Sequence, residues 1–304
     1  MTTTGNVDRR APRFWPGAAL MVLLAGCGDP TPADPGKPAR RLDSHAAATA
    51  SATPTPAPPI NDDPRLLVFL HDRYGPRATL DTAWKDQWDD QDQETTRPVE
   101  RRLCARETVA VAGQPHHLVA VCQTIEDVAS VEPGRIDLYV LRDGDAVPGT
   151  ASRPLVRVAE HLLMYSGMRG VPGTVAIDTL GPQRPAFRVT DGWYGQGYSL
   201  VSRTYVALHG NRLTPVASFR DHIDNDSAYD CDEDPSACEQ RLFNIDFQVT
   251  ADMQALQDGY AALDVRGVGP ECTGPTDEHY RLVYDPAKGV YPIPDALLRE
   301  QCRG

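Results

Sequence analysis

From Glu107 to Asp285 the chain is cut into apolar runs of strand length by Gly, Pro, Asn and Asp. The runs include ETVAVAG, HHLVAVCQ, RIDLYVLR, RPLVRVAEHLLMY, TVAIDTLG, PAFRVTD, GYSLVSRTYVAL, RLTPVASF, LFNIDFQV, GYAALDVRG and HYRLVYD. Punctuation this dense leaves little room for helices and is the signature of short antiparallel strands. In RIDLYVLR, Ile136, Leu138 and Val140 alternate with Arg135, Asp137 and Arg142, as in a strand with one apolar and one polar face. ALHGNRLTPV carries a hairpin signal with Gly210-Asn211 at its centre. The expected class is mainly β, between all-β and α+β: antiparallel sheets in a sandwich or barrel-like arrangement, with one or two N-terminal helices.

The helical signals cluster before residue 90. Asp63-Pro64 supplies an N-cap acid followed by Pro at the first helical position. Leu66, Leu67, Phe69, Leu70 and Tyr74 then form an apolar stripe that Gly75 ends. A second helix is expected around Leu80, Ala83, Trp84 and Trp88, followed by DDQDQETTR as an exposed connection. A short C-terminal helix is expected over 294–301. The folded region spans 61–304, and the Gly-rich stretch SGMRGVPGT (Ser166 to Thr174) offers a division near 170.

Six cysteines fall in that region: Cys104, Cys122, Cys231, Cys238, Cys272 and Cys302. An even set in an exported chain reads as a disulfide framework, and the CxxC-type spacing of a zinc site is absent. Pairing of sequence neighbours gives Cys104–Cys122, Cys231–Cys238 and Cys272–Cys302. By loop entropy these would contribute roughly 3, 2.5 and 3.5 kcal/mol.

Export itself is read from the N-terminus. Arg9, Arg10 and Arg13 precede the apolar run FWPGAALMVLLAG, which is short for a membrane span and ends in Leu24-Ala25-Gly26-Cys27. This order resembles the bacterial lipoprotein signal, with a lipobox LAGC. The resemblance implies a signal peptide over 1–26 and a lipidated first mature residue, Cys27, that anchors the chain to a membrane. Gly28 is not the Asp that retains enterobacterial lipoproteins in the inner membrane, so the outer membrane is the expected site. Residues 27–60 are rich in Pro, Ala and Thr and read as a disordered, semi-extended tether. Without residues 1–26, which hold three Arg and one Asp, the net charge moves from −12 to −14. That charge excludes nucleic acid as a partner of choice and disfavours direct adhesion to anionic lipid.

No local motif identifies a catalytic centre. Ser199 in GYSLV and Ser166 in MYSGM each lack one glycine of G-x-S-x-G, and neither HExxH nor a phosphate-binding glycine loop occurs. His116 and His117, adjacent in a strand, would point to opposite faces. Two stretches stand out instead. GWYGQGYSLVSRTY places Trp193, Tyr194 and Tyr198 among three glycines. It reads either as an exposed aromatic platform for a glycan or protein, or as core rings beside a glycine bulge, and packing is the favoured reading. DNDSAYDCDEDPSACEQ alternates acids at Asp224, Asp226, Asp230, Asp232 and Asp234. Calcium loops alternate oxygen ligands in this way, but the positions for the conserved Gly and the bidentate Glu are wrong for an EF-hand. A non-EF calcium loop, a docking patch for a basic partner, and an exposed loop closed by Cys231–Cys238 all remain open; otherwise no cofactor is expected.

The lipobox, the tether, WYGQGY and DN…C…C together resemble lipoproteins of Gram-negative bacteria, a resemblance that carries no catalytic residue across. The expected function is that of a lipid-anchored cell-envelope protein, a non-enzymatic binding or structural module whose partner is an envelope protein or glycan. The alternatives are an envelope hydrolase with a dispersed active site and a calcium-stabilised adhesion or docking domain.

Overall fold

The computed structural model describes residues 63–302 except 92, 147, 150–151, 232–234 and 273. Cys27, with the signal and tether, lies outside the described residues, as do Asp232 and Asp234. The described chain is mainly β and antiparallel, as its punctuation predicts.

Helix α1 (Pro64–Tyr74) begins as its sequence dictates: the Asp63 side chain accepts from the Arg65 N–H, and Gly75 closes the last turn with φ 84°. A five-stranded meander follows in chain order: β1 (Trp84–Asp90), β2 (Thr95–Val111), β3 (Gln114–Ile125), β4 (Gly134–Asp143) and β5 (Leu155–Ser166). The chain then crosses residues 167–173 into a seven-stranded sheet. Its members are β6 (Thr174–Thr179), β7 (Pro185–Gly195), β8 (Tyr198–His209), β9 (Arg212–Asp224), β10 (Asn244–Gln257), β11 (Tyr260–Val268) and β14 (Glu278–Leu282). Between these lie the short helix α2 (Pro235–Glu239) and the small ladder of β12 (Pro270–Glu271) with β13 (Gly274–Pro275).

Three apolar layers hold these parts. Leu118, Ala120, Ile136, Leu138 and Val140 of the first sheet meet Phe187, Val189 and Val206 of the second, which makes a sandwich. The alternate residues, Val119, Val121, Tyr139 and Leu141, face outward and are covered by Leu66 and Leu70 of α1. The seven-stranded sheet curls on itself until the end of β6 meets the β10–β11 hairpin, where the Ala261 N–H donates to the Leu180 carbonyl at 2.6 Å. Its concave side holds Phe219, Ile245, Phe247, Tyr260 and Leu263, capped by Tyr284, Tyr291 and Leu297 from the C-terminal segment.

Three disulfides are formed, with the pairing of sequence neighbours: Cys104–Cys122, Cys231–Cys238 and Cys272–Cys302. Cys104 is the extra residue of a β-bulge, since Leu103 pairs with Val121 and Ala105 with Ala120. The bulge turns its sulfur into the sandwich beside Cys122.

Four local expectations are corrected. The stretch around Leu80, Ala83, Trp84 and Trp88 is not a helix: Trp84 to Asp90 is an edge strand with both tryptophans buried. Positions four apart share a face in a strand as well as in a helix, so this spacing could not separate the two. DDQDQETTR is not one exposed connection, because Asp90 is buried at the end of β1 and β2 begins at Thr95. The C-terminal helix shrinks to a 3-10 turn over Asp295–Leu297. Arg135 and Asp137 are not on a solvated face: β4 is buried on both sides.

Candidate functional site

Helix α1 covers only part of the outer face of the first sheet. Where it stops, at Tyr74, a cavity of about 520 Å³ opens between β1 and β5. Its lining comes from the end of α1, from all of β1 beyond Lys85 with Gln91 after it, from Arg101 of β2, from Arg135 and Asp137 of β4, and from Leu162, Leu163 and Tyr165 of β5.

Strand register places the floor. Trp84 pairs with Arg101, Arg101 with Gln123, Gln123 with Arg135, and Arg135 with Tyr165. One transverse row therefore crosses all five strands, and a strand's period of two puts these side chains on one face. The row is rich in donors. Arg101 forms an ion pair with Asp86, and its Nε donates to Gln123 Oε1 at 3.0 Å. Gln123 Nε2 and Trp84 Nε1 are buried with no acceptor. Burial is the chief influence on Arg101 and pulls its pKa below the ordinary guanidinium value.

Arg135 is 5 % exposed, and its guanidinium lies 4.0 Å from the centroid of the Tyr165 ring and 5.2 Å from that of Trp88. Its Nη1 donates to the carbonyls of Pro133 and Gly134, at 2.8 and 3.2 Å. Tyr165 itself is 58 % exposed.

Beside this row runs a directed chain of hydroxyls. Tyr74 donates to Asp137 Oδ2 at 2.7 Å, and the Tyr139 hydroxyl lies 2.7 Å from that of Tyr74. Arg73 Nε donates to the Tyr139 oxygen at 3.1 Å. Each hydroxyl has one proton, so the order runs from Arg73 through Tyr139 and Tyr74 to Asp137. Burial raises the pKa of both phenols and keeps them protonated.

Asp137 uses its other oxygen to accept from the Leu163 N–H at 2.7 Å. Leu163 sits in a break of the β4–β5 register between the Ile136 and Leu138 pairings, with φ 54°. Bulges of this kind re-aim side chains at sheet edges and beside sites. Here the bulge places Leu162 and Leu163 on the cavity wall. Among the described residues the lining contains no Ser, Thr, Cys or His; its polar chemistry is that of guanidiniums, carboxylates and amides beside aromatic rings.

The residues singled out from sequence lie elsewhere. Trp193 and Tyr194, on the β7–β8 hairpin, are 40 % and 57 % exposed. Tyr198 is half-buried against the second core, 6.4 Å from Phe243 between ring centroids. The stretch thus divides, with two rings outside and one packed. In the acidic stretch, Asp224 accepts from His222 Nε2 at 3.1 Å and from the Asp226 N–H at 3.1 Å. Asp226 accepts from Asn244 at 2.9 Å. No group of three His, Cys, Asp or Glu suited to a metal ion occurs among the described residues.

The cavity is not legible in the sequence, because the alternation in β4 places Arg135 and Asp137 on a solvated face. Tyr139 and Leu141 continue the same face as apolar residues, and that run was the available signal that both sides of β4 are covered.

No family model matches the chain, and neither the curated proteins nor the solved structures contain a match to it.

Proposed function

We propose that this chain is a lipid-anchored protein of the cell envelope that acts by binding, and that the cavity between β1 and β5 is its binding site. One observation carries the binding reading: charged and aromatic groups from four strands converge on a single opening instead of being sealed by the helix beside them. Ligand sites are commonly concave, preformed and roughly 300–1,000 Å³ in volume, with a few convergent polar groups. A hydrogen-bonded sheet holds those groups with little freedom to lose on binding.

The anchor and location rest on the LAGC box, Cys27 and Gly28. Three disulfides fit an oxidising, exported compartment. No helix of the described residues is long and apolar enough to cross a membrane, which is compatible with attachment through lipid.

Mass spectrometry of the mature protein should find diacylglycerol on Cys27, and density-gradient fractionation should place it with the outer membrane; an unmodified N-terminus cut elsewhere would refute the anchor. For binding, envelope glycans and peptides released by enzymatic digestion should raise the melting temperature of the full-length protein in detergent. The same fractions should leave a Tyr165→Ala variant unmoved. Equal shifts in both proteins would remove the cavity from the proposal.

A further inference from the structure

The vacancies of the cavity are mostly donors. Its carboxylates are already served by the protein. Asp86 pairs with Arg101, Asp90 with Arg97, and Asp137 receives a phenol and a backbone N–H. Asp89 accepts from the Thr96 hydroxyl at 2.8 Å. The guanidiniums are served less fully. Arg73 and Arg135 meet no carboxylate within ion-pair distance among the described residues, although both line the cavity. Only Nη1 of Arg135 is engaged, by two carbonyls. Its Nε and Nη2 make no hydrogen bond to the described residues, and the guanidinium lies on the cavity wall.

Nε–H and Nη2–H form one planar fork, the geometry that takes both oxygens of a carboxylate. The same guanidinium backs the exposed ring of Tyr165. An apolar ring face therefore adjoins the fork, and Gln87 and Gln91 stand on the rim as partners for hydroxyl groups.

We infer that the cavity takes a carboxylate-bearing saccharide, its carboxylate on the Arg135 fork and a face of its ring against Tyr165. This inference rests on the cavity being the binding site. Arg73 adds a second guanidinium without an ion-paired carboxylate at the α1 end of the cavity.

Calorimetric titration of the full-length protein in detergent tests the inference. The probes are glucuronate, glucose and acetate. Glucuronate should bind at least about tenfold more tightly than glucose or acetate, a difference of about 1.4 kcal/mol. Arg135→Gln should abolish that preference, and Tyr165→Ala should weaken glucuronate. Because Arg135 is buried, its variant is compared with Arg73→Gln, an exposed site, which should lower glucuronate affinity severalfold and leave glucose unchanged. Equal binding of glucose and glucuronate, lost in Tyr165→Ala, would overturn the acidic ligand and keep the cavity. Acetate binding as tightly as glucuronate would overturn the saccharide. Glucuronate binding unaffected by all three variants would overturn the placement. No heat from either sugar at about 10 mM would sink this inference alone, because the melting shifts with envelope fractions decide the binding reading separately.

Discussion

The hydroxyl of Tyr74 has one proton and two neighbours, and it spends that proton on Asp137. Tyr74→Phe would leave Asp137 with the Leu163 N–H and would remove the acceptor facing Tyr139. Loss of one partner from a buried polar group costs about 1–3 kcal/mol. The denaturation midpoint should fall accordingly, with an unchanged dependence on denaturant concentration. His222 offers a pH-dependent counterpart. Burial disfavours its charged form, but the carboxylates of Asp224 and Asp246 outweigh burial and the net shift is upward. A raised histidine stabilises the fold fully below its unfolded pKa of about 6.5 and ceases to do so as pH rises through the folded value. Urea midpoints should therefore fall as the pH is taken from about 6 to about 9, and His222→Asn should flatten that part of the profile. A flat wild-type profile would count against the Asp–His–Asp contact. Neither group was visible as a site in the sequence. In the sequence Tyr74 is one apolar position of a helical stripe, and His222 belongs to no motif. Their roles come from pairings across strands or between layers, which local periodicity does not encode.

Hairpins show which element-level features were legible. The β8–β9 turn at Gly210-Asn211 has two residues, as its sequence predicts, with His209 opposite Arg212. The β7–β8 turn is built alike, with Gly195 opposite Tyr198 and Gln196-Gly197 between them. Both glycines have positive φ, 61° at Gly210 and 82° at Gly197, so an added side chain is strained by about 1–2 kcal/mol at either. Space separates them. Nothing lies within 4 Å of a Cβ at Gly210, whereas one at Gly197 would come within 2.3 Å of the Ala228 backbone. Gly197→Ala should therefore destabilise by at least about 1 kcal/mol more than Gly210→Ala, read from denaturant midpoints. Equal costs would mean that the segment around Ala228 moves aside freely. The turn chemistry could be read from sequence, but the close approach of a loop from beyond β9 could not. Trp84 and Trp88 failed for a related reason: four-residue spacing satisfies a helix and a strand alike, and only the pairing of β1 with β2 decides.

At the scale of the whole molecule, cysteine spacing and strand punctuation gave the architecture. They could not show how far the second sheet would curl or what would close it. The closure is the C-terminal segment. Tyr291 donates its N–H to Val216 at 2.7 Å and its hydroxyl to Ala261 at 2.8 Å, joining β9 to β11. Leu297 is fully buried in the concave core, and Arg299 forms ion pairs with Glu271 and Glu278. Burial works against the Glu278 carboxylate, yet Arg299 and Tyr280 hold its pKa below the usual value, so this contact stays charged at neutral pH. Cys272–Cys302 closes the same segment at its far end. Its loop is longer than that of Cys231–Cys238, which spans seven residues on the acidic stretch. Loop entropy therefore ranks the two. Replacing Cys272 and Cys302 by Ser should cost about 3.5 kcal/mol, and replacing Cys231 and Cys238 about 2.5 kcal/mol. The kinds of damage should also differ. Release of the C-terminal segment uncovers Arg299, so brief trypsin treatment should cut the Cys272/Cys302 variant after Arg299 and leave that bond intact in the wild type. The Cys231/Cys238 variant should keep its C-terminus. If instead the Cys272/Cys302 variant resisted trypsin at that site, burial of Tyr291 and Leu297 together with the Arg299 ion pairs would be sufficient to close the second sheet, and the disulfide would only reinforce it.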